Sequence, residues 1–100
     1  CSTPTAFYCA NDTIAIGVLN ALTHNGFSVP EDVSIIGHDN SALCEVSNPS
    51  LTTISIEPLM VGKTCVDAIV KKMNSNDSKV GMDCYITKPE LVIRNSVKAL

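Results

Sequence analysis

No stretch of this sequence approaches the roughly 20 apolar residues needed to span a bilayer. No charged segment leads into an apolar one either, so neither a membrane span nor a secretory signal is read from it. Basic residues are scarce and scattered. Seven Lys and Arg stand against ten Asp and Glu, with only Lys71 and Lys72 adjacent, and the net charge is −3. Phosphate recognition needs a basic patch, so this segment by itself gives no reason to expect nucleic-acid binding. The five cysteines (Cys1, Cys9, Cys44, Cys65 and Cys84) are odd in number and widely spaced, with no C-x-x-C pair, which argues against a zinc ribbon or a thioredoxin-like motif. Cys9 and Cys65 fall inside apolar patterns, where cysteine acts as a small hydrophobe, and all five are read as reduced thiols of a cytosolic protein. On the same ground the glycosylation sequons at Asn11 and Asn76 are read as accidental. Gly17, Gly26 and Gly37 are isolated, so no glycine-rich phosphate cradle exists. No G-x-S-x-G elbow, internal repeat or low-complexity tract is present. There is no initiator methionine, and the chain opens close to a strand, so it is expected to be a piece of something longer.

What is present reads as α/β. With 45% hydrophobic and 17% charged residues, the chain is globular. Residues 5–9 (TAFYC) have the composition of a buried strand. Asn11 and Asp12 supply N-cap chemistry for a helix whose core face is expected to carry Ile14, Val18, Ala21 and Leu22, with Ile16 and Leu19 on a different flank. Asn25-Gly26 stops that helix. Residues 33–37 (VSIIG) form a second strand, and the strand–helix–strand order implies a parallel sheet with helices over its faces. Residues 41–47 form a short helix set by Leu43 and Val46 and broken at Asn48-Pro49. Residues 51–56 (LTTISI) are a third strand, and 59–73 a second long helix with a wide apolar stripe. Residues 74–83 are a polar loop. Tyr85–Ile86 and 91–93 are two more short strands.

Ligands of an open parallel sheet bind beyond the carboxyl ends of its strands. Asn11-Asp12 leave the first strand there, and His38-Asp39-Asn40 leave the second. If the two strands are neighbours, Asn11 and Asp39 converge. A carboxylate that accepts and an amide that both donates and accepts suit vicinal hydroxyls or a base edge. Asp12 is read as a cap only. His38 beside Asp39 has the makings of a catalytic pair, but adjacent residues tend to point apart and no nucleophile is placed for it. Metal binding would need further ligands, and His24 lies at the far end of the first helix. No metal or cofactor is expected.

Four segments in series carry a resemblance: FYCANDTIAIGVLNAL, GFSVPEDVSIIGHDN, PSLTTISIEPLMVGKTCVDAIV and ELVIRNSV. Together they resemble the lactose/galactose/purine repressor (LacI/GalR) family from Thr5 to Val97, in that family's order and spacing. The resemblance implies an α/β fold of three layers around a parallel sheet, like type I periplasmic sugar-binding proteins, and mostly the C-terminal lobe of a two-lobed effector domain. It assigns residues 1–56 to that lobe, 57–83 to a loop and a helix normally docked on the N-terminal lobe, and 84–100 to a return into the C-terminal lobe. The helix-turn-helix and most of the N-terminal lobe would lie outside the chain, so operator DNA would be bound only through them. The family's A-N-D asparagine and G-x-D aspartate hydrogen-bond the effector, and they fall on Asn11 and Asp39. His38 stands where Phe or Tyr is usual, and Ile56 where glutamine is common. Ile16 and Asn20 match part of the family's dimer surface.

The expectation is therefore a cytoplasmic, homodimeric, non-enzymatic part of a bacterial transcriptional regulator. It binds a small effector, a sugar or a nucleobase-like molecule, through Asn11, His38 and Asp39. The rival readings are a secreted sugar-binding protein of the same fold and a flavodoxin-like enzyme using His38 and Asp39. The apolar stripe of the second long helix, without its usual partner, is expected to pack otherwise, swap between chains or stay exposed.

Overall fold

A computed structural model describes residues 4–75 and 84–99. Its elements are β1 (Ala6–Tyr8), α1 (Asp12–His24), β2 (Ser34–His38), α2 (Leu43–Val46), β3 (Thr52–Ser55), α3 (Pro58–Asn74) and β4 (Glu90–Val92). They fall into two compact units, Cys1–Ser55 with Glu90–Leu100, and Ile56–Pro89. Most of the expected polar loop at 74–83, the Asn76 sequon and Cys1 lie outside the described residues.

The first unit is built on a four-stranded sheet in the order β1-β2-β3-β4. β1 pairs with β2 and β2 with β3 in parallel, with Tyr8 opposite Ile36 and His38 opposite Ile54. β4 departs from the parallel expectation and runs antiparallel to β3, with Glu90 opposite Ser55. The reason is where the chain leaves and returns. It exits the sheet at Ser55 and re-enters beside that same residue, so it can only run back along β3, whereas a parallel strand would need a crossover to the other end. The strand expected at Tyr85–Ile86 does not form. Both residues are exposed and 84–89 hold no regular structure. A run of suitable composition becomes a strand only where a sheet edge takes up its backbone groups.

α1 covers the sheet with a different face from the one its periodicity suggested. Ala15 and Leu19 are buried with Asp12, while Ile16, Val18 and Leu22 pack half-buried against the core. Ile14 and Ala21 are exposed. The burying face is centred on positions 12, 15 and 19, one i, i+3, i+7 stripe, and buried Asp12 drags it away from Ile14. The expected stop holds. Gly26 has φ of 83°, Gly26 N donates to Thr23 O (3.1 Å) and Phe27 N to Leu22 O (3.0 Å), which is the Schellman closure of a helix end.

Cys9, Ala15, Leu19, Ile35, Cys44 and Leu51 make the core cluster. In α2 it is Cys44 that turns inward, while Leu43 and Val46, expected to set that helix, are exposed. The C-terminal segment ties β2 to β3. Ser96 Oγ donates to Ile35 O (2.6 Å) and accepts from Thr52 N (2.8 Å), while Ile35 N donates to Ser96 O (2.8 Å). Among the described residues no buried side-chain polar atom lacks a partner.

The second unit holds α3, which opens with Pro58 in its first turn, where a missing N–H is harmless. None of its residues is buried, and Met60, Val66, Ile69, Val70 and Met73 are exposed. Val61, Cys65, Ala68, Ile69, Tyr85 and Thr87 help line an apolar hollow of about 470 Å³. Cys65, expected in an apolar interior, is therefore exposed at the wall of an open groove. No described helix is long and apolar enough to cross a membrane.

Candidate functional site

Because β1 and β2 are parallel neighbours, their carboxyl ends leave the sheet at one edge. Asn11 follows β1 there and caps α1, its Oδ1 accepting from Ile14 N (2.9 Å). That leaves its amide Nδ2 as the donor it can offer a ligand. β2 ends on His38 and Asp39, and His38 Nδ1 donates to Asp39 Oδ1 (3.0 Å). Adjacent side chains on a strand point apart, and this pair was expected to do the same. It does not, because Asp39 has left the strand with φ of 100° and Asn40 follows at 52°. Left-handed backbone breaks the alternation and brings the carboxylate back to the imidazole. Such φ values in residues other than glycine cost on the order of 1–3 kcal/mol each. The carboxylate is 64% exposed, so it stays open to a ligand while one of its oxygens is held.

Asp12 is not the cap it was expected to be: Asn11 holds that position, and Asp12 is the buried first residue of α1. It is 2% exposed, and its carboxylate accepts from Thr53 Oγ1 (2.6 Å) through Oδ1 and from Ser41 N (2.7 Å) through Oδ2. Burial works to raise its pKa, but hydrogen bonds from Thr53, Ser41 and Cys44 outweigh that and hold it below the ordinary 3.8. Burial, with Asp12 alongside, pushes the Cys44 thiol up, so this cysteine is an inert packing group. Gly37 makes the arrangement possible. A Cβ there would collide with Asp12 Oδ1 and lie 3.0 Å from Leu51 Cδ2. Thr53 Oγ1 also accepts from Asn40 N (3.3 Å), and Arg94 Nη2 donates to Asn40 Oδ1 (3.0 Å).

The sequence gives Asp12 only a capping role and assigns nothing to Thr53 or Arg94. One signal was legible: a glycine inside a strand, here following Ile35 and Ile36, marks close approach of another group. Of the candidate dimer residues, Ile16 lies half-buried against the core, and Asn20 is exposed with its carbonyl accepting from His24 Nδ1 (2.8 Å). The first unit also has hollows of about 490 Å³ beside Thr5, Glu31 and Val33, and about 370 Å³ beside Phe7, Val18 and Phe27. Neither these nor the α3 groove includes Asn11, His38 or Asp39.

A mostly parallel α/β sheet, with polar side chains at the carboxyl ends of adjacent strands and a helix capped beside them, defines the class of periplasmic-binding-protein-like lobes. Known proteins agree. The family model described as periplasmic binding protein-like domain matches residues 2–97. An HTH-type transcriptional repressor PurR of Vibrio parahaemolyticus is 41% identical over 97 residues, which are 97% of this chain and 28% of the relative. The crystal structure of a LacI-type transcription regulator from Bifidobacterium animalis subsp. lactis is 33% identical with a TM-score of 0.84, covering 96% of this chain and 34% of that one. The lac repressor dimer bound to operator and the anti-inducer ONPF is 31% identical with a TM-score of 0.86, covering 96% of this chain and 32% of that one. The chain belongs to the periplasmic binding protein-like family, and over nearly its whole length it is similar to part of LacI-type transcriptional regulators. It spans 28–34% of the length of these relatives.

Proposed function

We propose that the sheet edge carrying Asn11, His38 and Asp39 binds the small-molecule effector of a bacterial LacI-type regulator. The observation that carries this reading is the His38–Asp39 pair, hydrogen-bonded at 3.0 Å on a strand end beside the one that delivers Asn11. With Nδ1 donating to Asp39, a neutral His38 keeps Nε2 as an acceptor. Asp39 supplies acceptor oxygens and Asn11 an amide donor. An edge rich in acceptors with one donor suits the vicinal hydroxyls of a sugar, or the donor edge of a nucleobase-like molecule. The relatives are transcriptional regulators, which favours this reading over a transport protein and over an enzyme. Residues 1–56 and 84–100 then serve the C-terminal lobe, and 57–83 carry the helix that docks on the N-terminal lobe. The flank of α1 carrying the half-buried Ile16 and the exposed Asn20 joins two copies; that a similar protein, the lac repressor, is a dimer supports this. Operator DNA is contacted from parts of the regulator outside this stretch, in the cytoplasm.

In the full-length regulator, Asp39→Ala abolishes the effector response in an operator-driven reporter and leaves operator affinity in a gel shift unchanged. A normal response in that variant would remove Asp39 from the site. A thermal-shift panel of pentoses, hexoses and nucleobases on the intact protein identifies the effector class.

A further inference from the structure

The turn after β2 is pinned from more elements than a surface turn needs. Three successive backbone amides have three different acceptors. Asp39 N donates to Ile54 O (2.9 Å), Asn40 N to Thr53 Oγ1 (3.3 Å) and Ser41 N to Asp12 Oδ2 (2.7 Å). The Thr53 hydroxyl also donates to Asp12 Oδ1 (2.6 Å), so the first turn of α1, β3 and the turn share one hydrogen-bonded network. Arg94, just past β4, adds the side-chain arm. Its Nη2 donates to Asn40 Oδ1 (3.0 Å) and lies 3.5 Å from Glu45 Oε1, and its Nη1 donates to Leu51 O (3.0 Å). A guanidinium fork holds both partners in one plane, which a lysine cannot do. Asp39 and Asn40, at φ of 100° and 52°, adopt a backbone that persists only when its surroundings over-determine it.

We propose that Arg94 and Asp12 are positioning residues of the effector site. They make no contact with the effector. They hold the turn in the left-handed conformation that folds Asp39 back onto His38 and fixes the face the pair presents. Without the clamp, Asp39 relaxes to the ordinary φ range and its carboxylate swings away from the imidazole. This rests on the reading of the Asn11, His38 and Asp39 edge as the effector site.

Amide hydrogen exchange on the full-length protein tests it without knowledge of the effector. Asp12 variants threaten folding because the group is buried, so Arg94→Lys is the primary variant. The expected result is exchange faster by about ten-fold or more at Asp39, Asn40 and Ser41, with Ile35 and Thr53 unchanged, because a hydrogen bond from a charged group is lost locally. Asn40→Gly removes the side-chain acceptor and accepts a left-handed φ, so in that background Arg94→Lys adds no more than about two-fold. Unchanged exchange at the turn, acceleration spread evenly over β2 and β3, or full additivity with Asn40→Gly would each overturn the clamp. The Asp39→Ala reporter separates the two readings. Loss of response there with an insensitive turn rejects the clamp and keeps the site, while a normal response with a loosened turn rejects the site and with it the role given to Arg94.

Discussion

One buried carboxylate organises the residues around the site. Asp12 stays ionised inside the fold because the Thr53 hydroxyl and the Ser41 amide stand where water would have been, and Gly37 leaves the space for them. The sign of its pH dependence follows. Its folded pKa lies below the usual 3.8, so as acid is added the unfolded chain takes up the proton first. The stability this group contributes is whole above about pH 5 and drains away as pH falls below about 4 toward the folded value. Thr53→Val removes the hydroxyl donor and keeps the shape. It should cost about 1–3 kcal/mol at neutral pH, since a buried carboxylate is left one bond short. That penalty should shrink below about pH 4, where the wild type loses the same contribution. Urea titrations of both proteins at pH 7, 5 and 3 measure it; a penalty that does not change with pH would show that Asp12 is not its source.

At the scale of elements, the N-cap of α1 has two proposed duties, and they can be separated. Asn11 Oδ1 closes the helix start, which leaves Nδ2 as the donor the proposed site would use. Asn11→Asp keeps a good cap, with a stability change of no more than a few tenths of a kcal/mol, but withdraws the amide donor. The expected outcome is an unchanged melting temperature together with a clear loss of effector response. Equal responses in the two proteins would leave Asn11 as a helix cap alone. The elements also show what could be read in advance. The positions of β1, β2 and β3, the cap of α1 and its glycine stop follow from short-range chemistry: aromatic or β-branched runs, an asparagine before a periodic segment, and a φ that suits glycine; the expected burial of β1 does not, since all three of its residues are exposed. The antiparallel β4, the rotated face of α1 and the inward Cys44 do not, because each depends on a partner distant in sequence. Asp12 decides the face of α1, and its partners Ser41 and Thr53 lie 29 and 41 residues away. The left-handed φ of Asp39 was equally hidden, since aspartate in a turn does not announce it. Arg94 stood in a quoted motif, but its partner Asn40 lies 54 positions off.

On the scale of the molecule, the two units differ in how well they close. The first has a buried core with satisfied polar groups. The second keeps an apolar groove of about 470 Å³ along a helix with no buried residue. The 100-residue polypeptide should therefore bind a hydrophobic dye at α3 or associate through it. Ile69→Lys, which places a charge on that wall, should suppress dye fluorescence several-fold and shift light scattering toward the monomer, with the far-UV spectrum preserved. A monomer that binds no dye before the substitution would show that the groove is covered.

Ser96 and Arg94 also bear on when the protein becomes competent. The amide and carbonyl of Ile35, the amide of Thr52 and the side chain of Asn40 wait for partners supplied by Arg94 and Ser96, about 40 residues or more further along the sequence. On the ribosome, those partners are still inside the exit tunnel when β1, β2 and β3 have already emerged. The nascent chain can pair its early strands, but the sheet is finished and the turn locked only after this segment has cleared the tunnel. Loss of Arg94 and Ser96 would leave the Ile35 carbonyl, the Thr52 amide and the Asn40 side chain without these partners.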